Sequence, residues 1–149
     1  MISAEISYNR KAKFDYELLE EVSAGIVLTG HEVKSAKMGR MDLSGSYVAL
    51  VNGEAFLLGS KIQSFQSGNA PEGYDVERTR KLLFHGAELK KLADKKNEGF
   101  SLIPIRARIA RSRIKIDVAI ARGRKAHDKR EHIKKREVKR EISRSLRNK

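Results

Sequence analysis

The stretch Tyr47-Val48-Ala49-Leu50-Val51-Asn52-Gly53-Glu54-Ala55-Phe56-Leu57-Leu58 decides the fold class. An apolar run of five and one of four flank Asn52-Gly53-Glu54, and both residues of a type I′ turn need positive φ, which Asn and Gly tolerate best. The segment therefore predicts a β-hairpin. A second hairpin is expected downstream. Ile103, Ile105, Ala107 and Ile109 alternate with polar residues, as do Ile114, Ile116, Val118 and Ile120, and Ala110-Arg111-Ser112-Arg113 joins the two runs.

Working outward, residues 1–13 are polar and read as irregular. Phe14, Tyr16 and Leu18 alternate, which favours a strand over Phe14–Val22, broken at Gly25. Ile26-Val27-Leu28 is a short β-rich run closed by Gly30, and His31–Met38 reads as a short helix stopping before Gly39. Residues 66–77 read as a loop and Arg80–Phe84 as a strand. Gly86–Lys95 reads as a helix with Leu89, Leu92 and Ala93 on one side. Six or seven short strands with two short helices, joined by hairpins, imply an antiparallel sheet. Closing it into a barrel hides its edges. The expected fold is mainly β with short helices: an antiparallel, OB-fold-like barrel over residues 1–123, followed by a basic tail over 124–149.

Charge separates the two parts. The 149-residue chain carries a formal net charge of +13. Residues 122–149 hold 13 Lys and Arg against 4 Asp and Glu, a net +9, whereas residues 1–121 hold 19 against 15, a net +4. The tail offers only Ile133, Val138, Ile142 and Leu146 as large aliphatics and no aromatic, too little burial to offset its ordering entropy unaided. As a helix it would align Val138, Ile142 and Leu146 on a narrow stripe, with Ile133 on the opposite side and a favourable Glu131–Lys135 pair. A phosphate-rich partner would supply the missing stabilisation through counterion release. His127, between Arg122-Gly123-Arg124-Lys125-Ala126 and Asp128-Lys129-Arg130, is suited to stacking on an unpaired base.

Catalysis finds no support in the motifs. There is no Cys, no H-E-x-x-H, no glycine-rich phosphate loop and no G-x-S-x-G. His127 and His132 are wrongly spaced for one helix face, and Glu20-Glu21 in a strand point to opposite sides. No metal or other cofactor is expected. The first 21 residues contain no apolar run able to serve as a signal-peptide core, and no stretch approaches a membrane span, so a soluble cytoplasmic protein is expected.

An ordered set of motifs then carries a resemblance along nearly the whole chain. It comprises Asn9-Arg10-Lys11-Ala12, Ala24-Gly25-Ile26, Gly30-His31-Glu32-Val33-Lys34-Ser35, Ser46-Tyr47-Val48, Gly53-Glu54 and Arg80-Lys81-Leu82-Leu83. It closes with Ala121-Arg122-Gly123-Arg124-Lys125-Ala126-His127-Asp128-Lys129-Arg130-Glu131, Ile133-Lys134 and Arg136-Glu137. The chain resembles the small protein B family, the bacterial partners of transfer-messenger RNA in ribosome rescue. The resemblance implies an oligonucleotide-binding barrel that grips the transfer-RNA-like domain, one monomer per RNA. It also implies a tail, disordered when free, that becomes helical at the small-subunit RNA of the decoding centre and in the empty messenger channel. The family's RNA-contacting Asn and Glu fall on Asn9 and Glu32, with Arg10, Lys11 and Lys34 as basic neighbours, and a Leu of the second helix falls on Leu89 or Leu92. Ribosome contacts are implied for Arg124, Lys125, His127, Asp128, Lys129, Arg130, Ile133, Lys134 and Arg136. A ribosomal or other structural RNA-binding protein with a basic extension is the rival reading.

Overall fold

The computed structural model describes residues 4–64, 72–124, 136–141 and 144. In chain order the elements are β1 (Ala4–Tyr8), α1 (Arg10–Asp15), β2 (Tyr16–Ile26), α2 (Gly30–Lys37), β3 (Met41–Asp42), β4 (Tyr47–Val51), β5 (Glu54–Leu58), β6 (Lys61–Ile62), β7 (Arg80–Leu83), α3 (Gly86–Asn97), β8 (Ser101–Ala110) and β9 (Arg113–Gly123). Both hairpins form where the sequence places them. Asn52 and Gly53 take φ of 51° and 76°, and Arg111 with Ser112 takes 50° and 67° at the β8–β9 turn. Seven strands make one antiparallel sheet in the order β1-β8-β9-β2-β7-β5-β4, and β3 pairs β6 separately. The sheet curls until its edge strand β4 packs against β8, giving a barrel-like body.

Period-2 alternation fills that barrel. Ile114, Ile116, Val118 and Ile120 of β9 point inward with Val22, Val48, Leu57, Leu82 and Leu102. The alternate face of β9 presents Ala119 and Ala121, which with Ile103, Ile105 and the helical Ala12 form a second, outer cluster under α1.

Three expectations need correction at the N-terminal side. Residues 4–8, read as irregular, form β1 paired with β8. The strand expected from Phe14 starts at Tyr16, because Arg10–Asp15 is helical. The cause is partly local and partly tertiary: Asn9 caps the helix by accepting from the Ala12 N–H at 3.2 Å, and Ala12 is buried against β8 and β9. Gly25 does not break β2, since it pairs with Leu83 on one side and Lys115 on the other. In the tail, residues 136–141 are helical and exposed, Val138 included.

Candidate nucleic-acid interface

A groove of about 520 Å³ opens where the ends of β2 and β7, the starts of α2 and α3, and the β8–β9 turn converge. Its apolar wall is Ile26, Leu28, Val33, Leu83 and Phe84, and its polar rim carries Ser23, His85, Glu88, Ser112, Arg113 and Lys115. Leu83 is 52% exposed, large for an aliphatic side chain next to a core. An apolar wall beside cations fits an unpaired nucleotide, whose base seeks dry contact and whose phosphate seeks charge.

The wall is held by an ion network rooted in α2. Thr29 and Glu32 form a capping box: Glu32 N–H donates to Thr29 Oγ1 at 3.2 Å, and Thr29 N–H donates to Glu32 Oε1 at 3.0 Å. The Glu32 carboxylate also accepts from Arg80 Nε and Nη2 at 2.8 and 2.7 Å, from Tyr74 Oη at 3.3 Å, and from Arg78. Arg80, fully buried, donates as well to Ser60 and to the Val76 carbonyl. Burial alone would push the Glu32 carboxyl up; hydrogen bonds from Arg78, the Thr29 N–H and Arg80 outweigh it and lower the pKa to about 2. Helix α2 is thereby tied to β7, whose end forms the groove wall.

A second network lies on the outer face of β2, β9 and β8. Ser23, Asp117 and Arg106 are cross-strand neighbours. Asp117 accepts from Ser23 Oγ at 2.6 Å, from Arg108 Nε at 3.0 Å and from Arg106 Nη1 at 3.3 Å. Burial raises the Asp117 pKa, but hydrogen bonds from Arg108 and Ser23 and the charge of both arginines bring it below the usual value. Arg106 also faces Glu21 at 3.4 Å and the Tyr8 ring at 5.9 Å. These guanidiniums are neutralised by carboxylates, so this face offers RNA less than the groove does.

The residues singled out from the sequence do not gather into one site. Glu32 is fully buried, and its carboxylate accepts from Arg78, Arg80 and Tyr74. Asn9 is 2% exposed, and its side chain donates to the carbonyls of Leu43 and Pro104 besides capping α1. Leu92 is fully buried in the core, whereas Leu89 is half-buried in a smaller crevice with Leu50 and Ala93. Arg10, Lys11 and Lys34 are exposed and available to phosphate. Of the tail positions, Arg124 is half-buried and its N–H donates to Asp15 O at 2.9 Å, while Arg136 is exposed on the helix; Lys125, His127, Asp128, Lys129, Arg130, Ile133 and Lys134 lie outside the described residues.

Sequence reasoning missed Arg78, Arg80, Leu83, Arg113 and Lys115. One signal for Arg80 was present: it stands in phase with Leu82 on the inward side of an apolar strand, where a cation needs a buried partner. Among the described residues no cluster of His, Asp or Glu could hold a metal ion, and no helix is long and apolar enough to cross a membrane.

A curled antiparallel sheet with an apolar, cation-rimmed groove and a strongly basic extension has the features of a nucleic-acid-binding module. Comparison with known proteins narrows the class. The family model for the SmpB protein matches residues 6–148. The SsrA-binding protein of Acaryochloris marina is 44% identical over 95% of this chain and 92% of its own length. That of Enterococcus faecalis is 42% identical over 96% and 93%. A solved chain described under "tmRNA-SmpB: a journey to the center of the bacterial ribosome" superposes with a TM-score of 0.68 at 37% identity, covering 85% of this chain and 92% of that one. The chain belongs to the SmpB family.

Proposed function

We propose that this chain binds transfer-messenger RNA and brings it to stalled ribosomes for trans-translation, acting in the cytoplasm as one monomer per RNA and catalysing no reaction itself. The observation that carries this reading is family membership over residues 6–148, a span that includes both the folded body and the basic tail. Relatives bearing the name SsrA-binding protein align over the same extent.

The body docks the folded transfer-RNA-like part of the RNA at the groove, with Arg113 and Lys115 on phosphate and the apolar wall against an unpaired base. Exposed Arg10, Lys11 and Lys34 add phosphate contacts, and Leu89 an apolar one. Glu32, Asn9 and Leu92 serve by shaping the body. Arg124, Lys125, His127, Asp128, Lys129, Arg130, Ile133, Lys134 and Arg136 address the small-subunit RNA at the decoding centre and the messenger channel, His127 by stacking on a base. A messenger still in its channel would exclude the tail sterically, so tail entry reports a broken message.

The test is to sequence the RNA that copurifies with tagged protein. One small stable RNA should dominate. Ribosomal RNA alone, in stoichiometric amount, would favour the structural ribosomal reading and sink this one.

A further inference from the structure

Gly25 sits inside β2, hydrogen-bonded between Leu83 of β7 and Lys115 of β9. A glycine within a strand weakens it, and such a residue marks a bulge, a positive φ or a close approach by something else. The first two reasons are absent here. Gly25 keeps the register on both sides, and its φ lies outside the left-handed region that favours glycine. Crowding within the protein is absent too. A Cβ at this position would meet Leu83 Cβ at 3.6 Å, Leu83 Cδ1 at 3.8 Å and Leu83 O at 4.0 Å, all ordinary van der Waals contacts. The protein's own packing thus accepts alanine. What a methyl would occupy is groove space beside Leu83, the exposed aliphatic of the wall.

We propose that Gly25 is a specificity-determining residue of the groove: its missing side chain leaves a slot, between Leu83 and Lys115, that admits the base and ribose of an unpaired nucleotide of the RNA. The flat base lies along the Leu83 side chain. The Lys115 ammonium, on the opposite neighbouring strand, serves the phosphate. A nucleotide in a duplex has its faces covered by stacked neighbours and its edge held by its partner, so the groove selects loop nucleotides over duplex. This inference rests on the groove being the RNA-docking surface.

The test uses the full-length protein with a transfer-messenger RNA transcript, measuring dissociation constants across a salt series together with the melting temperature. Binding by the parent protein comes first; its failure would overturn the functional reading itself. Given parental binding, Gly25→Ala should melt at the parental temperature or above, because an unstrained Gly-to-Ala change restricts the unfolded chain. Its affinity should fall roughly ten- to a hundredfold, the effect of one misplaced methyl in a filled pocket. Gly25→Val should fall further. The salt slope should stay parental, because no phosphate contact is removed. Affinity within about twofold of the parent, close to measurement scatter on this scale, would overturn the slot while leaving the groove reading intact. So would a lower melting temperature that accounts for the loss.

Discussion

The two ends of β2 are built from different materials. At Tyr16 the strand emerges from α1, a helix held by the Asn9 cap and by small apolar side chains: Ala12, Ala119, Ala121, Ile103 and Ile105. At Gly25 it enters the groove, whose wall is held by the buried Glu32–Arg80 pair with Arg78 and Tyr74 around it. The tail also leaves beside the first end, where the Arg124 N–H meets Asp15 O. Small apolar contacts are forgiving and suit a point of departure. A buried ion network fixes geometry, and it suits a surface that must already have its shape when a ligand arrives, since preorganisation lowers the cost of binding.

The sharpest way to break this comparison is to remove one end. Truncation after Gly123 deletes 12 Lys and Arg but no groove residue. Tagging on stalled ribosomes should collapse, while affinity for transfer-messenger RNA at low salt should largely persist with a shallower salt dependence. Specific RNA binding lost at low salt would join the ends into one site.

Next in size is Glu32→Ala. It strands the buried Arg80 guanidinium, a loss of about 3–5 kcal/mol by urea denaturation. Acid should act on the same residue. The folded pKa is about 2 against an ordinary 4.5, so the carboxylate's contribution is complete above pH 4.5 and is lost as pH falls through 4.5 toward 2. The Glu32→Gln variant should lack that part of the acid unfolding profile. A stability loss below about 1 kcal/mol, the scale of an exposed pair, would mean the network is not what holds the wall.

Smaller effects sharpen the contrast. Replacing Arg113 and Lys115 together by Gln should lower the slope of log affinity against log salt by roughly 0.7–0.9 per phosphate contact, with an unchanged melting temperature. An unchanged slope would move the phosphate contacts elsewhere. Asn9→Ala should cost about 1–3 kcal/mol of stability, through the lost cap and the buried Leu43 and Pro104 carbonyls that lose their donor. At a temperature where the variant is fully folded, its RNA affinity should equal the parent's. A residual defect would return Asn9 to the RNA surface.

The hairpins were legible because their information is local: Asn52-Gly53 between two apolar runs, and alternation flanking Arg111-Ser112, although a bulge between Pro104 and Arg106 puts Ile103 and Ile105 in the outer cluster and Ala107 in the barrel. Helix α1 was not: Asn9 is a local cap, but the packing of Ala12 that holds the helix is against strands some 90 or more residues away. The same separation hid the site. Glu32 meets Arg80 across 48 positions, and no spacing rule points from one to the other. The family's Asn and Glu could be matched to positions in the sequence, but only coordinates show that both side chains are turned inward.

Strands β2 and β9 together act as a ruler. Each is 11 residues long, and their pairing runs from Tyr16–Gly123 at the root of the tail to Gly25–Lys115 at the groove. Leu19 is an extra residue in β2, so the pairing advances eight steps along β9, and at about 3.3 Å per residue the two marks stand about 26 Å apart along the strands. Adding two residues to both strands would preserve the inside–outside alternation and shift the tail's origin by about 7 Å, whereas adding one would turn the barrel's lining outward. The distance between the groove and the start of the tail is thus written in strand register.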